Sequence, residues 1–368
     1  MNTEQTITYP SPRDLELILA DSVKKGDLMA FLRKRGIFFF NTSMETLAKQ
    51  VSIMYWDYDS LEELRGMAYR ASNKKVLSGF SLMSSSEFAL NDIYDGLRMS
   101  GELKGDGYTL NSITKKKSSS ELIYGGTLSY VKKSAGRMEF IRTEVREVSF
   151  EMRQINPNEW QVEVDGGKSN DGKVVYGLLE RIAKKQDVSI NMLRIDRLTK
   201  ASTISFFDQL AKVGLPKEWI IEDISRITLK RNPGTKDDIN LEIEEEEDDI
   251  EEVNKEDLSG ITQAILEGKN LREQDFVRRA EVSGYAFTSM TYTFYRAETN
   301  AKVKLRAEFK GNPKIFEVGL ESYLIPANDG EDRFEDSISS LSDSDNMSLR
   351  SIFWNNAQSL YYSLLSAK

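Results

Sequence analysis

The chain has 368 residues, with 50 Lys+Arg against 59 Asp+Glu and a formal net charge of −9. It contains no histidine and no cysteine, which excludes Ser-His-Asp and Cys-His nucleophilic machinery, His general-base chemistry, disulfides, and zinc, haem or iron–sulfur sites built on those residues. Catalysis is left with Asp, Glu, Lys, Arg, Ser, Thr and Tyr, and at most an oxygen-liganded Mg²⁺ or Ca²⁺.

The charge is unevenly spread. Nine of the eleven residues from Glu242 to Glu252 are acidic; residues 1–234 carry +4, 235–257 carry −11 and 258–368 carry −2. Net charge therefore does not argue against a polyanionic partner. A hydrophobic fraction of 39% with 10% aromatics suits two cores, and the length suits two or three domains. No apolar run approaches the roughly 18 residues of a membrane span, and the polar Met1–Pro12 stretch lacks the pattern of a signal peptide. The expected address is the cytoplasm, with no membrane partner.

In chain order, the first 85 residues read as a helical module. Asp14–Ala20 supplies Leu15, Leu17, Ile18 and Leu19; Lys25–Arg35 supplies Leu28, Phe31 and Leu32 at helical spacing. Gly36 stops that helix after a basic last turn, which suits the negative end of the helix dipole. Thr42 or Ser43 caps the next helix, which presents Leu47, Val51 and Met54. A further helix spans Ser60–Ala71, and another is expected over Ser86–Met99.

Residues 86–234 read as an α+β domain. Short β-runs at Tyr108–Thr114, Glu121–Val131, Met138–Arg153 and Trp160–Asp165 form an antiparallel meander, because the loops between them are short. Helices at Lys173–Lys185 and Thr203–Val213 flank a Ser189–Leu198 strand, and Ile224–Lys230 is a last strand. Residues 235–257 read as an acidic linker. In 258–326 a helix at Leu271–Val282 precedes a three-stranded meander: Tyr285–Arg296, Lys302–Phe309 and Ile315–Ile325. Asp/Ser-rich 327–348 is expected to be disordered, and 349–368 to be an aromatic amphipathic helix. The fold class is therefore α+β: a helical N-terminal module plus two antiparallel β-meander units with flanking helices.

The stretch Asp27-Leu28-Met29-Ala30-Phe31-Leu32-Arg33-Lys34-Arg35-Gly36-Ile37, followed by Ser43-Met44-Glu45-Thr46-Leu47-Ala48-Lys49-Gln50-Val51, resembles the SAP motif over about residues 24–54. That family's pattern is a helix ending in a basic-Gly-Leu signature, an extended loop and a second helix with paired leucines. The resemblance implies a small module that binds DNA or RNA, with Arg33, Lys34, Arg35 and Lys49 as contacts. The family's Ser-Gly-Thr-Lys loop is replaced here by Asn41-Thr42-Ser43-Met44, so the loop lysine is missing.

Other basic groups are candidates for the same partner. Lys115-Lys116-Lys117 and Lys132-Lys133 sit at turns of the first meander, where convergence would neutralise phosphates; consecutive turns of an up-and-down meander, however, alternate edges. Strand alternation puts Lys302, Lys304, Arg306, Glu308 and Lys310 on one face and Val303, Leu305, Ala307 and Phe309 on the other. The 242–252 run is expected to dock on that basic face and compete with nucleic acid. Glu308-Phe309-Lys310 also matches the acid-x-Lys half of a PD-(D/E)xK nuclease site, with Glu298 as the nearest upstream carboxylate; that alternative requires Mg²⁺. Gly166-Gly167-Lys168-Ser169 resembles the tail of a P-loop, but Val162 stands where the first glycine is needed, so it reads as a turn.

The terminal helix offers Ile352, Phe353, Trp354, Leu360, Tyr361 and Leu364 as an apolar interaction face, folded back in cis or docked in another chain. No catalytic set, metal site or cofactor motif is evident. The expectation is a non-enzymatic binding or adaptor subunit of a nucleic-acid-handling assembly, as in genome maintenance or phage defence. Its partners would be DNA or RNA and another protein subunit or a second copy. The alternatives are the Mg²⁺-dependent nuclease and a purely structural protein–protein interaction protein.

Overall fold

The computed structural model describes residues 9–40, 42–71, 75–84, 95–97, 107–117, 122–133, 139–167, 169–184, 188–231, 263–311, 314–327 and 334–366. The expected Ser86–Met99 helix falls mostly outside them. In chain order the elements begin with α1 (Pro12–Ser22), α2 (Lys25–Lys34), α3 (Met44–Ser52), α4 (Tyr58–Ala71) and β1 (Val76–Met83). There follow β2 (Tyr108–Lys117), β3 (Leu122–Lys133), the helical turn α5 (Glu139–Arg142), β4 (Thr143–Asn156), β5 (Glu159–Gly166) and α6 (Ser169–Ala183). Next come β6 (Ser189–Met192), α7 (Lys200–Val213), β7 (Trp219–Arg231), β8 (Gln263–Glu267) and α8 (Asp275–Val282). The chain closes with β9 (Tyr285–Arg296), β10 (Ala301–Lys310), β11 (Ile315–Pro326), β12 (Phe334–Asp336) and α9 (Asp343–Ser366). The fold is α+β, and its strand pairs run antiparallel.

The elements divide between two compact units, residues 1–75, 89–153 and 166–182 in one and 76–88, 154–165 and 183–368 in the other. This differs from the expected linear succession of domains. The strand β1 enters the second unit from what reads as a helical region, and β7 shares that unit with the second meander.

In the first unit the helices α1–α4 enclose their own core, with Leu15, Ile18, Leu19, Leu28, Phe31, Leu32, Leu47 and Leu64 buried, together with Phe140 from α5. Local capping chemistry starts α1 and α3. Ser11 Oγ accepts the Asp14 amide while Asp14 reaches back to the Ser11 amide, and Ser43 Oγ accepts from the Thr46 amide. The rest of the unit is the β2–β3–β4 meander, whose inner face buries Tyr124, Leu128, Val148, Phe150 and Met152, while α6 buries Val175, Leu178 and Leu179.

The second unit is a sheet in the order β5–β1–β11–β10–β9–β7–β8, with β6 on β1 and β12 on β11. One face carries α7 and α9 over a core of aromatic side chains, in which Phe206, Phe207, Phe309 and Phe316 meet edge-on or tilted at 5.2–6.0 Å. The close approach of α9 to β1 depends on Gly79. A Cβ there would lie 2.6 Å from both the Trp354 ring and the Val162 carbonyl oxygen.

Lys230 and Gln263 are cross-strand partners in the β7–β8 pair. Residues 232–262 therefore form an insert within one hairpin, leaving and returning at neighbouring points of the same sheet. The acidic run is not a linker between domains.

Candidate nucleic-acid interface

The α2–α3 segment contains the sequence candidates Arg33, Lys34, Arg35 and Lys49. Gly36 adopts φ +73°, and the reversal after α2 is closed by Gly36 N–H to Arg33 O and Ile37 N–H to Leu32 O, both 3.0 Å. This pair of bonds satisfies carbonyls that the helix end would leave open, and the left-handed residue is a glycine because a Cβ is disfavoured there.

Arg35 is tied into the module. Its guanidinium sits 3.7 Å from the Phe31 ring centroid, and Phe31 stacks on Trp56 at 5.5 Å with a 12° interplanar angle. Arg35 Nη2 also donates to Ser60 Oγ at 2.8 Å, and Nη1 reaches Glu63 at 3.4 Å. Arg33 and Lys49 are exposed, and the Lys34 side chain is 74% exposed with only a 3.9 Å contact to Glu63. Three of the four cations are thus available to a ligand, while Arg35 holds the α2 end against the start of α4.

Residue pattern alone does not reveal what surrounds them. Five large apolar side chains on the two loops and helix ends stand in solvent: Phe38 (63%), Phe40 (85%), Ile53 (76%), Tyr55 (91%) and Tyr58 (62%). Isolated exposed apolar residues are ordinary, but several on one small module mark a contact surface. The Phe38-Phe39-Phe40 run is visible in the sequence, but which of the rings face water is not.

The other basic candidates do not gather into one patch. Lys115, Lys116 and Lys117 pair with Tyr124, Ile123 and Leu122, whereas Lys132 and Lys133 pair with Glu144 and Thr143. Those positions lie at opposite ends of β3, about 30 Å apart at roughly 3.3 Å per residue, so the two lysine turns do not converge. Lys115 packs over the Tyr124 ring.

The β10 alternation is as expected, with Val303, Leu305, Ala307 and Phe309 buried. Its polar face, however, is compensated within the sheet. Lys302 Nζ bonds Glu222 at 2.6 Å, Arg306 lies 3.4 Å from Glu308 and 3.6 Å from Glu321, and Lys310 is 3.9 Å from Glu308. Glu317 stands across from Glu308. Three carboxylates, Glu222, Glu308 and Glu321, thus answer Lys302, Arg306 and Lys310. The expected docking of the 242–252 run on this face lies outside the described residues.

The nuclease constellation is not assembled. Glu308 and Lys310 share a face, but Glu298 occupies the β9–β10 turn, paired with Arg296 at 2.8 Å, at the other end of β10. The seven strand steps from Ala301 to Glu308 alone span about 23 Å, so the turn and Glu308 are far apart. Among the described residues no group of three or more acidic side chains is placed to hold a metal ion.

The terminal helix is spent internally. Phe353, Trp354, Leu360 and Tyr361 are buried, and Ile352 and Leu364 pack against the same core. Polar groups of α9 are tied in as well: Arg350 Nη1 bonds Asp165 at 2.7 Å, Ser351 Oγ donates to Glu163 at 2.9 Å, and Tyr361 Oη donates to Arg194 O at 2.7 Å. The interaction helix therefore docks in cis, and Asp343–Asn346 of the stretch expected to be disordered forms its first turn.

The first unit also holds a buried ionic cluster that no local sequence pattern announces. Arg146 donates from Nε and Nη2 to Asp171 at 2.9 and 2.7 Å and from Nη1 to Glu144 at 2.8 Å. Tyr130 Oη and the Gly167 amide donate to the same Asp171 carboxylate at 2.5 and 2.6 Å. Burial alone would raise the Asp171 pKa, but the bonds from Arg146 and Tyr130 and the guanidinium charge outweigh it and hold it below the usual carboxylate range. Burial, then the bond to Asp171, pushes Tyr130 up, so its hydroxyl stays a donor. Gly166 and Gly167 serve this cluster: a Cβ on Gly166 would meet Asp171 at 2.5 Å, and the Gly167 amide donates to its carboxylate.

No family model matches the chain, and no curated protein matches it. Among solved structures, the di-domain ARO/CYC BexL from the BE-7585A biosynthetic pathway aligns over 79% of this chain and 96% of its own. At 11% identity and a TM-score of 0.13, that likeness carries no argument about fold or function. No helix among the described residues is long and apolar enough to cross a membrane.

Proposed function

We propose that this chain is a non-enzymatic binding or adaptor subunit of a nucleic-acid-handling assembly in the cytoplasm, and that it contacts nucleic acid through the SAP-like α2–α3 segment. The observation that carries the reading is the co-location of exposed Arg33, Lys34 and Lys49 with exposed aromatic rings on one small helical module. Cations neutralise phosphates and release their counterions, while rings offer surfaces to bases. The compensated face of β10 makes that strand the weaker candidate for the same partner.

The test is fluorescence anisotropy of labelled DNA and RNA oligonucleotides across a salt series. The triple change Arg33→Ala, Lys34→Ala and Lys49→Ala is expected to weaken binding and to flatten the slope of log K against log salt by about 0.7–0.9 for each phosphate no longer neutralised. Unchanged affinity and slope would overturn the assignment of this module as the binding surface.

A further inference from the structure

We infer that the N-terminal module takes single-stranded rather than duplex nucleic acid, with unstacked bases lying on Phe38, Phe40, Tyr55 and Tyr58. This rests on the nucleic-acid reading above and narrows it.

The module's own core does not need these rings. Leu15, Leu28, Phe31, Leu47, Val51 and Trp56 are already buried between the helices, while the four exposed aromatics project from the α2–α3 loop, the α3–α4 connection and the first residue of α4. The Arg35–Ser60 hydrogen bond joins those two regions. Phe38 follows Arg35 by three residues and Tyr58 precedes Ser60 by two, so both rings start within about 10 Å of chain from that one bond.

Charge selects the chemistry of the occupant. Between Arg33 and Asp59, the span that holds all four rings, there are four basic residues and three acidic ones, Glu45, Asp57 and Asp59. Three of the carboxylates near the patch are engaged, Glu63 with Lys34 and Arg35, Glu62 with Arg65 at 2.6 Å, and Asp57 with the Ser60 amide at 2.8 Å, while Glu45 and Asp59 are exposed. A net positive surface studded with exposed rings fits a polyanion that also has free aromatic faces.

A duplex does not meet that description, because its bases are stacked on one another and present only edges in the grooves. Nor does α3 present the face of a duplex-reading helix. The exposed side of α3 offers Glu45, Thr46, Lys49 and Gln50, one cation and one anion, where a groove-binding helix brings a basic stripe. Single strands leave their bases free to stack on protein rings, with each stacked base worth about ten-fold or more in affinity.

The experiment compares oligothymidylate, oligouridylate and a duplex of equal length as labelled probes for the full chain. Two variants, Phe38→Ala with Phe40→Ala and Tyr55→Ala with Tyr58→Ala, are measured beside it, with thermal melting to confirm that each remains folded. The inference expects single strands to bind more tightly than duplex, and each variant to lose about ten-fold or more on single strands with little change on duplex. Equal single-strand and duplex affinity, or full-strength binding by both variants, would overturn it while leaving the nucleic-acid reading standing. Absence of binding to all three probes would overturn both. Loss of self-association in sedimentation velocity with oligonucleotide binding intact would reassign the patch to a protein interface and overturn the inference.

Discussion

Asp171 accepts hydrogen bonds from Arg146, Tyr130 and the Gly167 amide while itself shielded from solvent. Such a network is stable only when complete, because an unpaired buried charge costs far more than the pair gains. Asp171→Asn would remove the carboxylate charge that faces Arg146 and is expected to lower stability by about 3–5 kcal/mol at neutral pH. The pH dependence has a definite sign. The folded pKa of Asp171 lies below its ordinary value of 3.8, so its contribution is complete above that value and disappears as pH falls through the depressed folded pKa. Urea titrations of both proteins should therefore show the largest gap near neutrality, closing at pH values below 3.8. A gap that stays constant into acid would mean that the Asp171 charge contributes nothing. The cluster is illegible in the sequence because its members come from β3, β4 and α6, and no local pattern links residues 130, 146 and 171.

At the scale of elements, legibility follows burial on one face or on two. Half-buried β10 alternates in sequence and in structure, and the α2 stop at Gly36 and the Ser43 cap follow from local chemistry. By contrast, Val76–Met83 is buried on both faces for seven of its eight residues, so β1 shows no alternation and follows a helical run. The Asp/Ser-rich stretch before α9 reads as disordered, yet Ser342 Oγ accepts the Asp345 amide and donates to its carboxylate, which is the chemistry of a helix start. The candidate site is legible in its cations and not in its rings, because exposure of Tyr55 and Tyr58 beside buried Trp56 is decided by tertiary packing. For α9 the same packing gives a quantitative expectation. Phe353 lies 5.8 Å from Tyr292 and 6.0 Å from Phe294, with Gly214 against its ring. Phe353→Ala should cost about 3–5 kcal/mol in chemical denaturation, equally at all protein concentrations. A cost that grows on dilution would point to a helix held by a second chain.

At the scale of the whole molecule, the −9 formal charge is the product of one insert in one hairpin. Residues 232–262 carry 13 of the 59 acidic side chains and 2 of the 50 basic ones, so a chain with that segment replaced by a short uncharged turn has a net charge of +2. Because Lys230 and Gln263 are already cross-strand partners, the turn closes the hairpin without displacing either strand. Loop-closure entropy then favours the shortened chain: each halving of loop length is worth about 0.6 kcal/mol, so stability should hold or rise by about 1–2 kcal/mol. Removing the insert also removes a concentrated negative field, which repels a polyanion wherever on the molecule it binds, within the reach set by salt. Oligonucleotide affinity should therefore rise on excision, most at low ionic strength, with the gain fading as salt screens the field. Equal affinity before and after excision at low salt would show that the insert does not oppose the polyanion; its charge would then be matched to a basic partner of its own.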